Sequence, residues 1–345
     1  MKVCAHIFPV ALLGFALSTW AQQAAPDTTM YLDVVVTDAH NQPVSGLTQQ
    51  DFQVAADGHP VSLTSLRAVN GLDPKADPPV QLSIIFDLVN LPVGDLAFAR
   101  QQVEAFLRQN NGNLALPTTI YTSTYDGIQS PLDPSGDGRI LANELDKMNT
   151  SIRPIGEAGG YLGEIDRLEP SIRNLMKIIG RDSNLPGRKI VVWIGPGWPL
   201  LDGPQIETAM APSQRERNFK AVQGLVNGLR TSRICLESAS LGTMHSKVYD
   251  YLAFLKPLKS PDDAGFANLG LRVLVTHGGG QVLLTNNDLV DELNRCVRDA
   301  NFYTVSFVPH GETRPEKLHT LKMTVNRPGM TARTASEYYD PPAAH

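Results

Sequence analysis

Segments typical of buried strands alternate with amphipathic helices through the middle of this chain, and that alternation restricts the fold more than any other feature. Residues 82–86 form a mostly apolar segment typical of a buried strand, and residues 96–108 carry apolar side chains at helical spacing. The other predicted strands are 118–123, 189–194, 233–236, 281–284 and 302–308, and the other predicted helices are 140–148, 168–179, 218–229, 271–277 and 288–300. Such an order predicts an α/β domain over residues 80–309 with a doubly wound, mostly parallel sheet.

Both ends of the chain have strand and turn patterns in place of helices. Apolar and polar residues alternate around Val34 in residues 28–70 and around Met323 in residues 312–341. A proline-rich connector, GLDPKADPP, separates the first segment from the α/β region. Because an isolated hairpin is only marginally stable in water, we predict that the two end segments pack together as one small β-sandwich. The α/β domain would then be inserted between them.

The first 21 residues are typical of a secretory signal peptide. Lys2 provides a positive start, residues 7–17 form a short apolar run, and small residues precede a cleavage site after Ala21. The run is shorter than the roughly 20 residues that cross a bilayer, so we expect cleavage and a periplasmic or secreted protein; an uncleaved N-terminal anchor is the alternative. No later segment approaches that length, so we expect no membrane span in the mature chain.

Charge and motif content exclude several classes of function. The formal net charge is −5 and basic residues do not cluster, which argues against nucleic acid as a partner. The sequence contains no G-x-S-x-G elbow, H-E-x-x-H pair, P-loop or dinucleotide fingerprint. One polar cluster could be drawn as a hydrolase site, but a polar loop after a strand is the favoured interpretation; its members are Glu237, Ser238, Ser240, His245 and Ser246. We expect no enzymatic activity.

Two cysteines remain after the predicted cleavage site. Cys235 lies in a strand-like segment and Cys296 in a helix-like segment. An exported compartment permits a disulfide between them. The alternative is that both are small core residues, because Cys296 shares a helical face with Leu289 and Leu293.

Several local strings, and their order along the chain, resemble the von Willebrand factor A-related domain family of secreted acidobacterial proteins. These strings are VVVTDAHNQPVSGLTQQDFQVAADG, IIFDLVN, GRKIVVWIGPGWP, GGGQVLLTNNDLVDEL, NFYTVSFVP and RPGMTARTASEYYDPP. The resemblance covers roughly residues 30–341. It implies an extracytoplasmic module with a von Willebrand A core, in a family whose members mostly lack an assigned activity.

The resemblance places a metal-ion-dependent adhesion site at Asp87, but most of its ligands are replaced. That site needs Asp-x-Ser-x-Ser with a distant threonine and aspartate, because Mg²⁺ demands nearly octahedral oxygen ligation. Val89 and Leu91 occupy the serine positions, Tyr161 the threonine position, and a Gly-Pro-Gly sequence at 195–197 replaces the distant Asp-Gly. Alkyl groups cannot coordinate a hard cation, so we expect a degenerate site without the standard metal.

Polar residues after two of the strands could nevertheless form a rebuilt ligand site. Asp87, Asn90, Thr124 and Asp126 are predicted at the carboxyl end of the sheet, where such sheets bind ligands. The alternative is a capped strand end. Aromatic residues in strand-end loops could anchor a partner, or pack locally; the candidates are Tyr161 and Trp198.

Residues 133–144 match the spacing of an EF-hand calcium loop. The candidate ligands are Asp133, Ser135, Asp137, Glu144 and the carbonyl of Arg139. A strand pattern and prolines precede the loop where an EF-hand has a helix, so this is not a regular EF-hand. The alternative is a polar strand-to-helix turn with Asp137 near a helix N-terminus, where its charge is favourable.

Together these features predict an exported, non-enzymatic interaction module that binds a protein or a cell-envelope ligand without the standard metal. A calcium-dependent binding or adhesion protein, using the loop at 133–144, is the alternative. A hydrolase is the third interpretation. Calcium is the only cofactor that the sequence suggests.

Overall fold

The computed structural model describes residues 29–130, 132–148, 160–200, 210–241, 250–284, 288–309 and 314–341. The predicted signal peptide lies outside these residues and stays a prediction. Among the helices of the described ranges, none combines the length and apolar character needed to cross a membrane.

A seven-stranded sheet forms the centre of the structure. In chain order its strands are β5 (Gln81–Asp87), β6 (Asn113–Thr124), β7 (Gly127–Gln129), β8 (Ser135–Asp137), β9 (Lys189–Ile194), β10 (Ile234–Ser240) and β11 (Val282–Leu284). Their order in the sheet is β11-β10-β9-β5-β6-β7, and β8 also pairs with β6. The pairs from β11 to β6 are parallel, whereas β7 and β8 run antiparallel to β6. The expected mostly parallel sheet is therefore confirmed.

Helices cover both faces of this sheet. They are α1 (Val93–Leu107), α2 (Gly138–Lys147), α3 (Gly160–Asp182), α4 (Pro212–Thr231), α5 (Leu271–His277) and α6 (Leu289–Arg298). Side chains alternate across a strand, so Ile84 packs with α1, α2 and α6, and its neighbour Ile85 packs with α3, α4 and α5. Burial on both faces explains why β5 and β9 are mostly apolar in the sequence.

The chain reverses its direction of travel across the sheet at β5. From β5 it moves to β6 through α1 on one face, and from β9 it moves to β10 and β11 through α4 and α5 on the other face. Right-handed crossovers require the helix to change face when the direction changes. The carboxyl ends of β5 and β9 therefore lie side by side at the topological switch point.

Eight further strands form two antiparallel sheets. They are β1 (Met30–Thr37), β2 (Phe52–Ala56), β3 (His59–Val61), β4 (Leu63–Asn70), β12 (Asn301–Phe307), β13 (Leu318–Val325), β14 (Thr331–Arg333) and β15 (Glu337–Tyr339). The sheet orders are β14-β1-β12-β4 and β15-β13-β2-β3. Val34 and Val305 from the first sheet share one buried core with Phe52 and Leu321 from the second. The end segments and β12 thus form a sandwich beside the α/β unit, which is compatible with the predicted fold class.

The strand predicted over residues 302–308 belongs to a different sheet from the one we expected. We placed it last in the α/β domain, but β12 pairs antiparallel with β1, where Val34 lies opposite Tyr303, and with β4, where Val69 lies opposite Phe302. β1 and β4 do not pair with each other, and β12 fills the position between them. Side chains on its two faces pack in different cores, because Phe302 belongs to the α/β core and Tyr303 to the sandwich core. A strand pattern alone does not specify its partner.

Candidate functional site

Asp87 is the last residue of β5 and is completely buried at the switch point. The chain turns immediately after it, because the carbonyl oxygen of Asp87 accepts a hydrogen bond of 2.8 Å from the amide of Leu91. Pro92 then precedes the first turn of α1. The turn places the side chains of residues 88–91 inside the protein.

Four N–H groups of the protein donate to the Asp87 carboxylate. Oδ1 accepts from the amides of Val89 and Asn90, each at 3.2 Å. Oδ2 accepts from Asn90 Nδ2 at 3.0 Å and from Trp193 Nε1 at 2.8 Å. Burial raises the pKa of Asp87 to about 6, although these hydrogen bonds act in the opposite direction. The carboxylate is therefore used as an internal acceptor, and each oxygen already faces two N–H dipoles that would repel a cation.

Asn90 extends this network to α3. Its Nδ2 also donates to Ser171 Oγ at 2.9 Å, and Ser171 Oγ donates to the carbonyl oxygen of Arg167 at 2.8 Å. Asn174, one turn further along α3, donates to Ser123 Oγ at 2.9 Å and to the Thr124 carbonyl at 2.8 Å. The buried polar face of α3 thus holds the ends of β5 and β6 together.

Two tryptophans fill the space beside Asp87. The rings of Trp193 and Trp198 meet edge to face, with centroids 5.4 Å apart. Trp198 is buried, and its Nε1 has no hydrogen-bond partner among the described residues. A Cβ atom at Gly195 would lie 3.1 Å from Cβ of Asp87, so the Gly-Pro-Gly loop passes close to the carboxylate. For Trp198 the geometry is that of local packing.

The structure brings together only part of the predicted ligand site. Asp87 and Asn90 are hydrogen-bonded to each other, and Trp198 reaches them through Trp193. Thr124 and Asp126 belong to the β6–β7 turn, where Thr124 Oγ1 donates to the Gly127 carbonyl and accepts from the Asp126 amide, and Asp126 is exposed. This is the alternative of a capped strand end.

One predicted aromatic anchor cannot be placed, and two polar residues were missed. Tyr161 lies in the first turn of α3, and its side chain is outside the described residues. Ser171 and Asn174 are absent from the candidates that we drew from the sequence, although both are fully buried. Their i, i+3 spacing on the apolar face of a predicted helix was the available signal.

The proposed calcium loop has the geometry of a helix start. Ser135–Asp137 is a short strand paired with β6, and the Asp137 side chain caps α2 by accepting from the Arg139 amide at 2.9 Å. The Arg139 guanidinium also pairs with Asp137 at 3.0 Å, and it lowers the pKa of that carboxyl. Glu144 pairs with Lys147 at 2.7 Å, and Asp133 is exposed. Across the part of the chain that the structure describes, no three His, Cys, Asp or Glu side chains are grouped to hold a metal ion.

Both cysteines are free and buried, so the structure shows the core arrangement in place of a disulfide between Cys235 and Cys296. Cys235 Sγ donates to Glu237 Oε1 at 3.1 Å. Burial raises the pKa of both thiols and of Glu237.

The described part of the candidate hydrolase cluster lies in a strand and not in a loop. We predicted that the strand ends at residue 236, but β10 continues to Ser240, and Glu237 and Ser238 are completely buried within it. Glu237 can be accommodated there because the backbone amide of Gln281 donates to its Oε2. His245 and Ser246 lie outside the described residues.

Comparisons with known proteins give little further information. No protein-family model matches the chain, and no curated protein matches it. Among solved structures, the crystal structure of the human COPII-coat protein Sec24c matches with a TM-score of 0.36 and 10% sequence identity, over 77% of this chain and 44% of that chain. The chain thus spans less than half the length of that protein. A TM-score of this size carries no argument about function, and the von Willebrand A core stays a prediction.

Proposed function

We propose that this protein is an exported, non-enzymatic interaction module with a von Willebrand A-like core that works without an adhesion-site metal. The observation that carries the proposal is the state of Asp87. Its two carboxylate oxygens accept four hydrogen bonds from the protein, and the side chain has no exposed surface.

The residues around Asp87 support a metal-independent role. The two positions where an adhesion site needs serines, Val89 and Leu91, are buried apolar side chains. A hard cation of the Mg²⁺ type needs about six oxygen ligands, whereas the groups that face the Asp87 carboxylate are N–H donors. The hydrogen bonds to Asn90 and Trp193 instead fix the loops after β5 and β9 without an ion, so a binding surface at this end of the sheet would be formed in advance.

The proposed partner is a protein or a cell-envelope ligand, reached after export directed by residues 1–21. The contact surface would be formed by the loops and helix starts at the carboxyl end of the sheet. Val93, the first residue of α1, is a large apolar side chain exposed at that end, with 65% of its surface accessible. A calcium-dependent adhesion protein is the competing proposal, and the capped start of α2 gives it less support.

A capture experiment with envelope extract of the source organism tests the proposal. The chain from Gln22 is immobilised, and bound proteins are quantified in EDTA and in Ca²⁺. We expect a specific partner whose capture is equal in both buffers and is reduced at least tenfold by Val93→Arg. Ile140→Arg is the matched control, because Ile140 is also an exposed apolar residue near the start of a helix. It lies near the opposite end of the sheet, since the strand before α2 pairs with the amino-terminal part of β6.

Two results would contradict the proposal. Capture that requires Ca²⁺ and survives Val93→Arg would favour the calcium-dependent alternative. If no captured partner bound less to Val93→Arg than to Ile140→Arg, the carboxyl end of the sheet would not be the binding surface.

A further inference from the structure

A cavity of about 370 Å³ lies at the opposite end of the parallel sheet, between the α/β unit and the sandwich. Arg188 and Arg233 stand immediately before β9 and β10, and Arg230 is in the last turn of α4. The sandwich contributes Asp33 from β1 and Arg333 from β14. Four guanidinium groups and one carboxylate thus line a single cavity.

Protein carboxylates neutralise only part of this positive charge. Arg233 forms a bidentate pair with Asp33, with N–O distances of 3.0 and 2.7 Å. Arg188 is 3.8 Å from the same carboxylate. Arg333 pairs at 2.7 Å with Asp299, which lies outside the lining. Two carboxylates, those of Asp33 and Asp299, therefore pair with three guanidinium groups. The fourth guanidinium group, that of Arg230, has no carboxylate partner among the described residues.

Glu237 does not remove this excess, because even when fully ionised it would bring the total to only three carboxylates against four guanidinium groups. It lies within electrostatic range of both Arg188 and Arg333, but burial and the neighbouring Asp299 favour its protonated form by raising its pKa. The positive charge of the cavity therefore exceeds the negative charge that the surrounding elements supply.

Three of the four arginines also retain buried donors without acceptors. Within the described ranges, Nε of Arg188, Nε of Arg230 and Nη1 of Arg333 have no hydrogen-bond partner. Arg188 is only 5% exposed and stacks its guanidinium over the ring of Phe302 at 4.9 Å. Arg230 contacts Met30 Sδ and the face of the Tyr338 ring. Buried guanidinium groups without enough acceptors are unfavourable, and an anion in the cavity would offset their excess positive charge.

We propose that this cavity binds a phosphate group, as inorganic phosphate or as the phosphate of a small molecule. Guanidinium groups recognise phosphate oxygens through paired N–H donors, and several arginines can share one tetrahedral anion. The volume exceeds that of inorganic phosphate, and Leu32, Leu229 and Ile234 give the cavity an apolar side suited to the carbon skeleton of a phosphomonoester. Because residues from both units line it, the bound ligand would also hold the sandwich against the α/β unit. The proposal does not depend on the proposed function.

Isothermal titration and ³¹P NMR of the chain from Gln22 test this site at constant ionic strength. The probes are inorganic phosphate, glucose 6-phosphate, glucose and citrate. We expect saturable binding of at least one of the two phosphates, none of glucose, and weaker binding of citrate. Tighter binding of glucose 6-phosphate would identify an organic phosphate as the ligand, and equal affinity would identify the phosphate group alone.

The variant Arg230→Gln should weaken phosphate binding at least tenfold, because it removes a guanidinium without leaving a carboxylate unpaired. Arg217→Gln, an exposed position on the same helix, is the matched control and should bind as the unmodified chain does. If Arg230→Gln fails to fold, Arg230→Lys keeps the charge, loses the paired donors and should still bind several-fold more weakly. Absence of saturable phosphate binding, binding of citrate alone, or equal affinity in the Arg230 and Arg217 variants would overturn the proposal.

Discussion

The indole Nε1 of Trp193 donates a hydrogen bond of 2.8 Å to Oδ2 of Asp87, across 106 positions of the chain. Both side chains are completely buried, so water cannot replace either partner. The two residues belong to adjacent strands, and the bond joins them where the chain changes direction across the sheet. The carboxylate that the sequence resemblance predicted as a metal ligand therefore has an internal hydrogen-bond donor as its partner.

Trp193→Phe should destabilise the protein more than Trp198→Phe. The two substitutions remove the same atoms from two buried rings that touch each other, but only Trp193 donates to a carboxylate. Loss of a hydrogen bond to a charged group costs about 1.5–3 kcal/mol, and we expect that difference in the free energy of unfolding between the two variants. Urea unfolding at pH 8 measures it. Equal losses would show that the indole N–H does not stabilise Asp87.

Titration of Asp87 should lower stability as the pH rises from about 4 to about 6. Burial raises the pKa of this carboxyl to about 6 from its ordinary value of 3.8, so the folded state binds the proton more tightly than the unfolded state. The shift corresponds to roughly 3 kcal/mol. Asp87→Asn removes the titration, and the fall in unfolding free energy across this pH range should shrink by about that amount. Urea unfolding of both proteins at several pH values measures this difference. If the unfolding free energy of the two proteins changed equally with pH, the raised pKa of Asp87 would be contradicted.

Glu337→Gln should stabilise the protein at pH 8 and have a much smaller effect at pH 5. Burial raises the pKa of Glu337 to about 7 and lowers that of His277 to about 4, with 3.4 Å between Oε2 and Nδ1. The stability associated with protonated Glu337 is complete below its ordinary pKa of 4.5 and is lost as the pH rises through 7. His277 has a pKa of about 4 in the folded protein, so it is largely neutral at both pH values, and its titration in the unfolded chain is the same in the two proteins.

The gain at pH 8 should be on the order of 2–3 kcal/mol, as measured by urea unfolding. Glu216→Gln is the control, because Glu216 is accessible on α4 and pairs with Lys220 at the surface. A stabilising effect of the same size at pH 5 would show that Glu337 is already ionised there.

Melting temperatures of the chain from Gln22 should be the same in EDTA, Mg²⁺ and Ca²⁺. A site in the native state would add roughly 2.7 kcal/mol at an ion concentration about 100 times the dissociation constant, which a thermal melt detects easily. A calcium-dependent rise that Asp133→Ala abolishes would support the loop at 133–144 as a calcium site. A metal-dependent rise that only Asp87→Ala abolishes would mean that the adhesion site is rebuilt.

The mature chain should contain two unreactive thiols. Cys235 and Cys296 are free, and burial raises the pKa of both, which keeps the thiolate population small. We expect slow reaction with Ellman's reagent under native conditions and release of two equivalents in urea without a reductant. No release in urea would indicate that the two cysteines form a disulfide in the exported protein.

Local sequence patterns predicted most elements of the fold. The apolar run at residues 82–86 lies within β5 at Gln81–Asp87, and the helix predicted over 271–277 is α5 with the same bounds. These assignments succeed because side-chain periodicity reports which faces of a segment are buried. The same reasoning placed Asp87 at a strand end, and it offered the capped strand end as an alternative to a metal site.

Contacts between distant segments could not be predicted in this way. Nothing around residue 302 shows that β12 pairs with β1 and β4, and nothing around Trp193 shows that it donates to Asp87. Glu237 was predicted to follow a strand that ends at residue 236, yet it lies within β10, where its hydrogen bond from Gln281 makes burial tolerable.

The sequence by itself determined the alternation of strands and helices and the β-rich ends, because each of these depends on residues close together in the chain. Only the tertiary structure decided which strands pair, which donors surround Asp87, and that four arginines line one cavity at the junction of the two units. The physical reason is that burial, charge balance and hydrogen-bond satisfaction depend on all the groups that meet at a point in space. Those groups come from segments whose spacing along the chain carries no record of their contact.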